Sequence, residues 1–127
     1  MSTTYYALFH ALCQNCADAF IGTQGADRSR RAWRQAYRSP RHKLAKDRLA
    51  DQRAMKAFPK EIEDFGNTFV NAQAKRHAAD YDPDFRVTGS EVLSDIIAAE
   101  SAIRKLKDTK MKDRRALAAW VTLGNRD

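Results

Sequence analysis

The scarcity and placement of helix-breaking residues constrain this chain more than any other feature: five glycines and three prolines punctuate 127 residues. Between the breaks, apolar residues recur at intervals of three and four, the period of a helix face and not the alternation of a strand. Long helices are therefore favoured over a turn-rich β fold. The first stretch covers residues 4–21, with Tyr5, Leu8, Phe9, Leu12, Cys16 and Phe20 at helical spacing and Tyr6, His10, Cys13 and Ala17 on a neighbouring stripe. Thr3 or Thr4 is expected to cap it, and Gly22 to end it. Apolar around most of its girth, this helix belongs in a core or at a subunit contact.

A second helix is predicted to start with Asp27 as its cap and to run toward Tyr37, with Trp33, Ala36 and Tyr37 as its apolar side. Ser39-Pro40 breaks the chain there, and a further stretch from residue 41 carries Leu44, Leu49, Met55 and Phe58 up to Pro59. Residues 60–80 place Ile62, Phe65, Phe69, Val70 and Ala74 on one side of a helix. Thr88 with Glu91 makes a capping-box pattern that opens a helix in which Val92, Leu93, Ile96, Ile97, Ile103 and Leu106 form one apolar stripe. From Arg114 onward, Leu117, Trp120, Val121 and Leu123 suggest a short last helix whose apolar side needs a surface, its own or a partner's. The expectation is one all-α helical-bundle domain over residues 1–127. A chain of this size buries roughly two-thirds of its unfolded surface and needs neither disulfide nor metal to fold.

Charge points to a polyanion. The 23 Lys and Arg against 16 Asp and Glu give +7, which attracts nucleic acid or an acidic partner protein. Nine of the basic residues fall within residues 28–48, where Asp47 is the one acid. On a helix, Arg30, Arg34 and Arg38 stand at i, i+4 and i+8, about 6 Å apart along one face. Guanidinium groups suit bidentate phosphate contact, with Trp33, Tyr37 and His42 nearby in sequence for stacking. Like charges at this spacing repel, so a stripe lacking acids reads as a binding face more readily than as a solvated one. No stretch approaches the ~20 apolar residues of a membrane span and no leader pattern opens the chain, so a soluble, cytoplasmic protein is expected. Cys13 and Cys16 form a lone C-x-x-C inside an apolar helix, which reads as buried thiols and not as a metal or redox site. No cofactor or metal is expected.

A second constellation closes the helix over residues 60–80. Arg76, His77, Asp80 and Tyr81 put a cation, an imidazole, a carboxylate and a phenol at one end. Cleavage of a phosphodiester by its own 2′-hydroxyl needs a base, an acid and a cation at the non-bridging oxygens. Arg76 could be the cation, and His77 or Tyr81 could carry protons. The plainer alternative is an i,i+4 ion pair of Arg76 with Asp80 and a His77 that faces solvent.

Residues 4–11, reading Thr-Tyr-Tyr-Ala-Leu-Phe-His-Ala, and residues 76–83, reading Arg-His-Ala-Ala-Asp-Tyr-Asp-Pro, together resemble a small branch of the HEPN superfamily. That branch has a Tyr-Tyr-Ala-x-Phe-His-Ala opening and an Arg-x-x-Ala-Asp-Tyr segment, and the resemblance spans residues 4–107. It implies a four- to five-helix bundle that dimerises through its helices, and a cleft that engages RNA and cuts it without metal, as in toxin–antitoxin or defence systems. It also implies Tyr5, Tyr6, His10, Arg76, Asp80 and Tyr81 as cleft residues. The usual HEPN signature, an arginine followed after four to six residues by a histidine, is absent: Tyr81 stands where Arg76 would have its histidine. A different class stays open beside the ribonuclease, a non-catalytic interaction module for an acidic partner, an antitoxin or a nucleotidyltransferase.

Overall fold

A computed structural model describes residues 3–124, and every regular element among them is helical. The seven segments are α1 (Thr3–Phe20), α2 (Arg30–Tyr37), α3 (His42–Leu49), α4 (Gln52–Met55), α5 (Lys60–Tyr81), α6 (Gly89–Lys107) and α7 (Met111–Thr122). Four are long and three short, so the all-α bundle is realised with more pieces than the four or five expected.

α1 is the central helix. Tyr5, Leu8, Leu12 and Cys16 are fully buried, and the helix packs against α2, α5, α6 and α7. Its near-continuous apolar surface is what a helix surrounded by others requires. Thr3 and Thr4, expected as caps, already lie inside it. Gly22 ends it with φ near +137°, a conformation that L side chains rarely adopt, and the chain turns back there.

Two boundaries differ from the sequence reading for local reasons. Ser29, not Asp27, caps α2 by accepting the Ala32 N–H, because its hydroxyl reaches the first turn. The stretch from residue 41 is two helices, because the Asp51 carboxylate accepts from the Ala54 N–H and starts α4 afresh. α5 begins after Pro59 with Glu61 and Glu63 in its first turn, where acids favour the positive end of the helix dipole. Thr88 caps α6 by accepting from the Glu91 N–H, as the capping-box pattern predicts.

One core joins these helices. Ile62, Phe65 and Phe69 of α5 share it with Leu49 of α3, Met55 of α4 and Leu117 and Val121 of α7. α6 buries Ala99, Ala102 and Leu106, while Val92, Leu93, Ile96 and Ile97 of its apolar stripe stay exposed. α7 starts earlier than expected and packs on α1 and α3. Arg114 is buried within it, its Nε donating to Asn15 Oδ1 at 2.8 Å while Asn15 Nδ2 donates to its carbonyl at 3.1 Å. Among the described residues, no helix is long and apolar enough to cross a membrane.

Candidate functional site

The basic run of residues 28–48 divides into two populations once folded. Arg28 reaches back to Asp18 and to the Gly22 carbonyl. Arg48 donates to the carbonyls of Trp120 and Leu123, lies over the Trp120 ring, and so closes the end of α7. Both are structural. Arg30, Arg34 and Arg38 are exposed, and among the described residues no acid pairs with any of them. They hold the expected stripe. Trp33 and Tyr37 turn instead toward α1: Trp33 Nε1 donates to Asp18 at 3.0 Å, and the Tyr37 hydroxyl shares a 2.9 Å hydrogen bond with His10 Nδ1. At 100° per residue, Tyr37 flanks the arginine stripe, so that stripe borders His10.

From His10 a ladder of rings leads across α1. Phe9 stands edge-on to His10 at 6.4 Å and stacks on His42 of α3, ring centroids 3.9 Å apart and planes 14° from parallel. The His42 Nδ1 shares a short hydrogen bond with the buried Tyr5 hydroxyl. Arg76 of α5 then lies over both tyrosine rings, 5.2 Å from the Tyr5 centroid and 5.1 Å from that of Tyr6. Thus α1, α2, α3 and α5 bring together Tyr5, Tyr6, His10, Tyr37, His42 and Arg76. Both histidines are exposed, and each has its Nδ1 engaged by a tyrosine.

This arrangement sets the protonation states. Partial burial, then the Arg76 guanidinium and then His10, all disfavour a charged His42 and hold it below the usual imidazole value. Burial raises the Tyr5 phenol to about 12, against the pull of Arg76. Tyr5 therefore stays neutral at any physiological pH and serves as an orienting partner. When His42 Nδ1–H donates to the phenol oxygen, its Nε2 keeps the lone pair a general base needs.

The remaining site residues lie beyond the ladder. Asp80 sits 3.9 Å from Arg76 as the i,i+4 ion pair. His77 and Tyr81 make a ring contact with each other, centroids 4.7 Å apart, at the solvent-facing end of α5, with Tyr81 75% exposed. Neither has a ring contact or hydrogen bond with His10, His42 or Tyr5 among the described residues. Sequence reasoning counted His42 as a stacking residue beside the basic run; its pairing with Tyr5 and Arg76 has no signature in spacing.

Among the described residues, no group of three or more His, Cys, Asp or Glu is placed to hold a metal ion. Cys13 and Cys16 are buried and free, and burial pushes their thiols up to about 11 and about 12. Comparisons with protein-family models, with curated proteins and with solved structures found no match to this chain.

Proposed function

We propose that this chain is an HEPN-like domain that engages RNA and cleaves it by metal-independent acid–base chemistry at the His10–His42–Arg76 ladder. The observation that carries this reading is His42: an exposed imidazole held below its usual pKa, fixed through Nδ1 and set beside an arginine. A neutral imidazole at pH 7 can take the proton of a ribose 2′-hydroxyl. The 2′-oxygen then attacks phosphorus, the bond from phosphorus to the 5′-oxygen breaks, and an acid protonates that leaving oxygen. His10 has the matching chemistry for the acid, and Arg76 a cation for the charge that builds on the non-bridging oxygens. Arg30, Arg34 and Arg38 would hold the backbone on the approach.

The test is incubation of the purified protein with labelled single-stranded RNA in EDTA, beside His42→Ala and Arg76→Ala, with helicity checked by circular dichroism. Cleavage by wild type and a loss of at least about a hundredfold in each folded variant are expected. No cleavage by wild type, or equal cleavage by the variants, contradicts the reading. Changing Arg30, Arg34 and Arg38 together to Gln should make the log–log salt dependence of RNA binding shallower by about 2, since each lost phosphate contact on a single strand removes ~0.7.

The homodimer belongs to the same reading. The exposed Val92, Leu93, Ile96 and Ile97 give α6 an apolar strip on which a second copy would pack. The exposed Arg30, Arg34 and Arg38 also support a second reading, a non-catalytic interaction module whose basic face meets an acidic partner; it predicts intact RNA in the assay and capture of an acidic protein or a nucleotidyltransferase.

A further inference from the structure

A groove of about 440 Å³ runs between α5 and α6 and under the loop that joins them. Its volume lies in the range of small-molecule sites and would hold one nucleoside. Ala72 and Ala79 from α5 and Ala98 from α6 contribute only methyl groups to its walls, which leaves a slot, and Phe85 of the connecting loop adds a ring along it. Asn71 lines the slot and its side-chain amide makes no hydrogen bond among the described residues, so it offers a donor and an acceptor together.

Charge is placed at one position only. Lys75 is matched by Asp95, whose two oxygens it reaches at 2.9 Å. Arg76 is held by Asp80 at no better than 3.9 Å, and it lines the groove while lying over the Tyr5 and Tyr6 rings. Arg76 therefore borders both the groove and the histidine ladder. A ligand that suits this is flat and largely apolar in its body, with a hydrogen-bonding edge, and anionic where it leaves the slot.

We infer that the groove takes one unstacked base of a single-stranded RNA, with the adjoining phosphate on Arg76. The inference rests on the RNA reading above and extends it to strand selection. An A-form duplex keeps its bases stacked and cannot deliver one into a slot, whereas a single strand can splay one out. A base between small side chains and an aromatic ring gains stacking energy with little dependence on its identity.

The experiment measures binding of an uncleavable 2′-O-methyl RNA, single-stranded or folded as a hairpin duplex, to wild type, Ala79→Leu, Ala98→Leu and Phe85→Ala. Ala79 and Ala98 are exposed, so leucine there fills the groove without straining the core. Weaker single-strand binding by about tenfold or more in both leucine variants, with duplex binding and helicity unchanged, is expected. Wild-type affinity in both filled variants overturns the inference. So does a changed association state with RNA affinity intact, which would mean that a second copy occupies the groove. Because the analogue cannot be cut, the two ideas fail separately. Selective single-strand binding without turnover of natural RNA sinks the cleavage reading alone, and normal cleavage by the filled variants sinks the groove alone.

Discussion

Tyr5 does three jobs at one position. It fills the core against Phe69, carries Arg76 on its face and holds His42 by its hydroxyl. Its raised phenol has a measurable consequence. The folded state keeps the proton up to about pH 12 while the unfolded chain loses it near 10, so stability declines across that window as pH rises. That gap is worth about 3 kcal/mol, and Tyr5→Phe should flatten that part of a denaturation series; an unchanged alkaline slope would contradict the assignment. Cys13 and Cys16 act in the same direction from pH 9 upward. His42 has the opposite sign: its folded pKa lies below 6.5, so its contribution is complete above 6.5 and declines as pH falls below that. The resemblance put Tyr5 and Arg76 in one cleft, but His42 belongs to the separate basic run, and nothing in the spacing brought it or the burial of Tyr5 to that pair. The arginines teach the same lesson, since nothing in the run of residues 28–48 distinguishes Arg48, which closes α7, from Arg34, which faces water.

Among the elements, α1 and α5 were readable because each is long, strongly periodic and bounded by Gly22, Pro59 or the Asp82-Pro83 break. α3 and α4 were not separable, since an N-cap aspartate in a polar run looks like any surface aspartate until its carboxylate meets the Ala54 N–H. The apolar stripe of α6 was read as apolar without saying which part is buried: periodicity identifies a face but not its partner, and Ala99 and Ala102 with Leu106 make the contact. Asp18 shows how the elements are tied. It accepts from Trp33 of α2 at 3.0 Å, pairs with Arg28 at 3.4 Å, and lies 3.7 Å from the buried Arg114 of α7. Asp18→Ala leaves the buried Arg114 charge with the Asn15 amide but without that carboxylate, and should cost about 3 kcal/mol in urea denaturation, in the range for a buried pair that loses one partner. A loss under about 0.5 kcal/mol, typical of surface substitutions, would show that the hub contributes little.

Across the described residues, exposure is distributed unevenly: an arginine stripe with no acid paired to it there flanks one side of α1, and an apolar strip covers the first half of α6. If that strip is where two copies meet, Leu93→Glu with Ile97→Glu should convert a dimer to a monomer in sedimentation equilibrium without loss of helicity, while a wild-type monomer would remove the dimer from the account. The bundle, its charge and its lack of a spanning helix could be read from spacing and composition. The resemblance placed His10 and Arg76 in one cleft but not His42 between them, and it is on that convergence of two imidazoles and a guanidinium that the functional claim stands. Mass analysis of RNA ends after incubation in EDTA tests it most directly. Fragments bearing a 2′,3′-cyclic phosphate and a 5′-hydroxyl, formed by wild type and absent with His42→Ala, are what the account expects. Intact RNA, or 5′-phosphate ends, would contradict it.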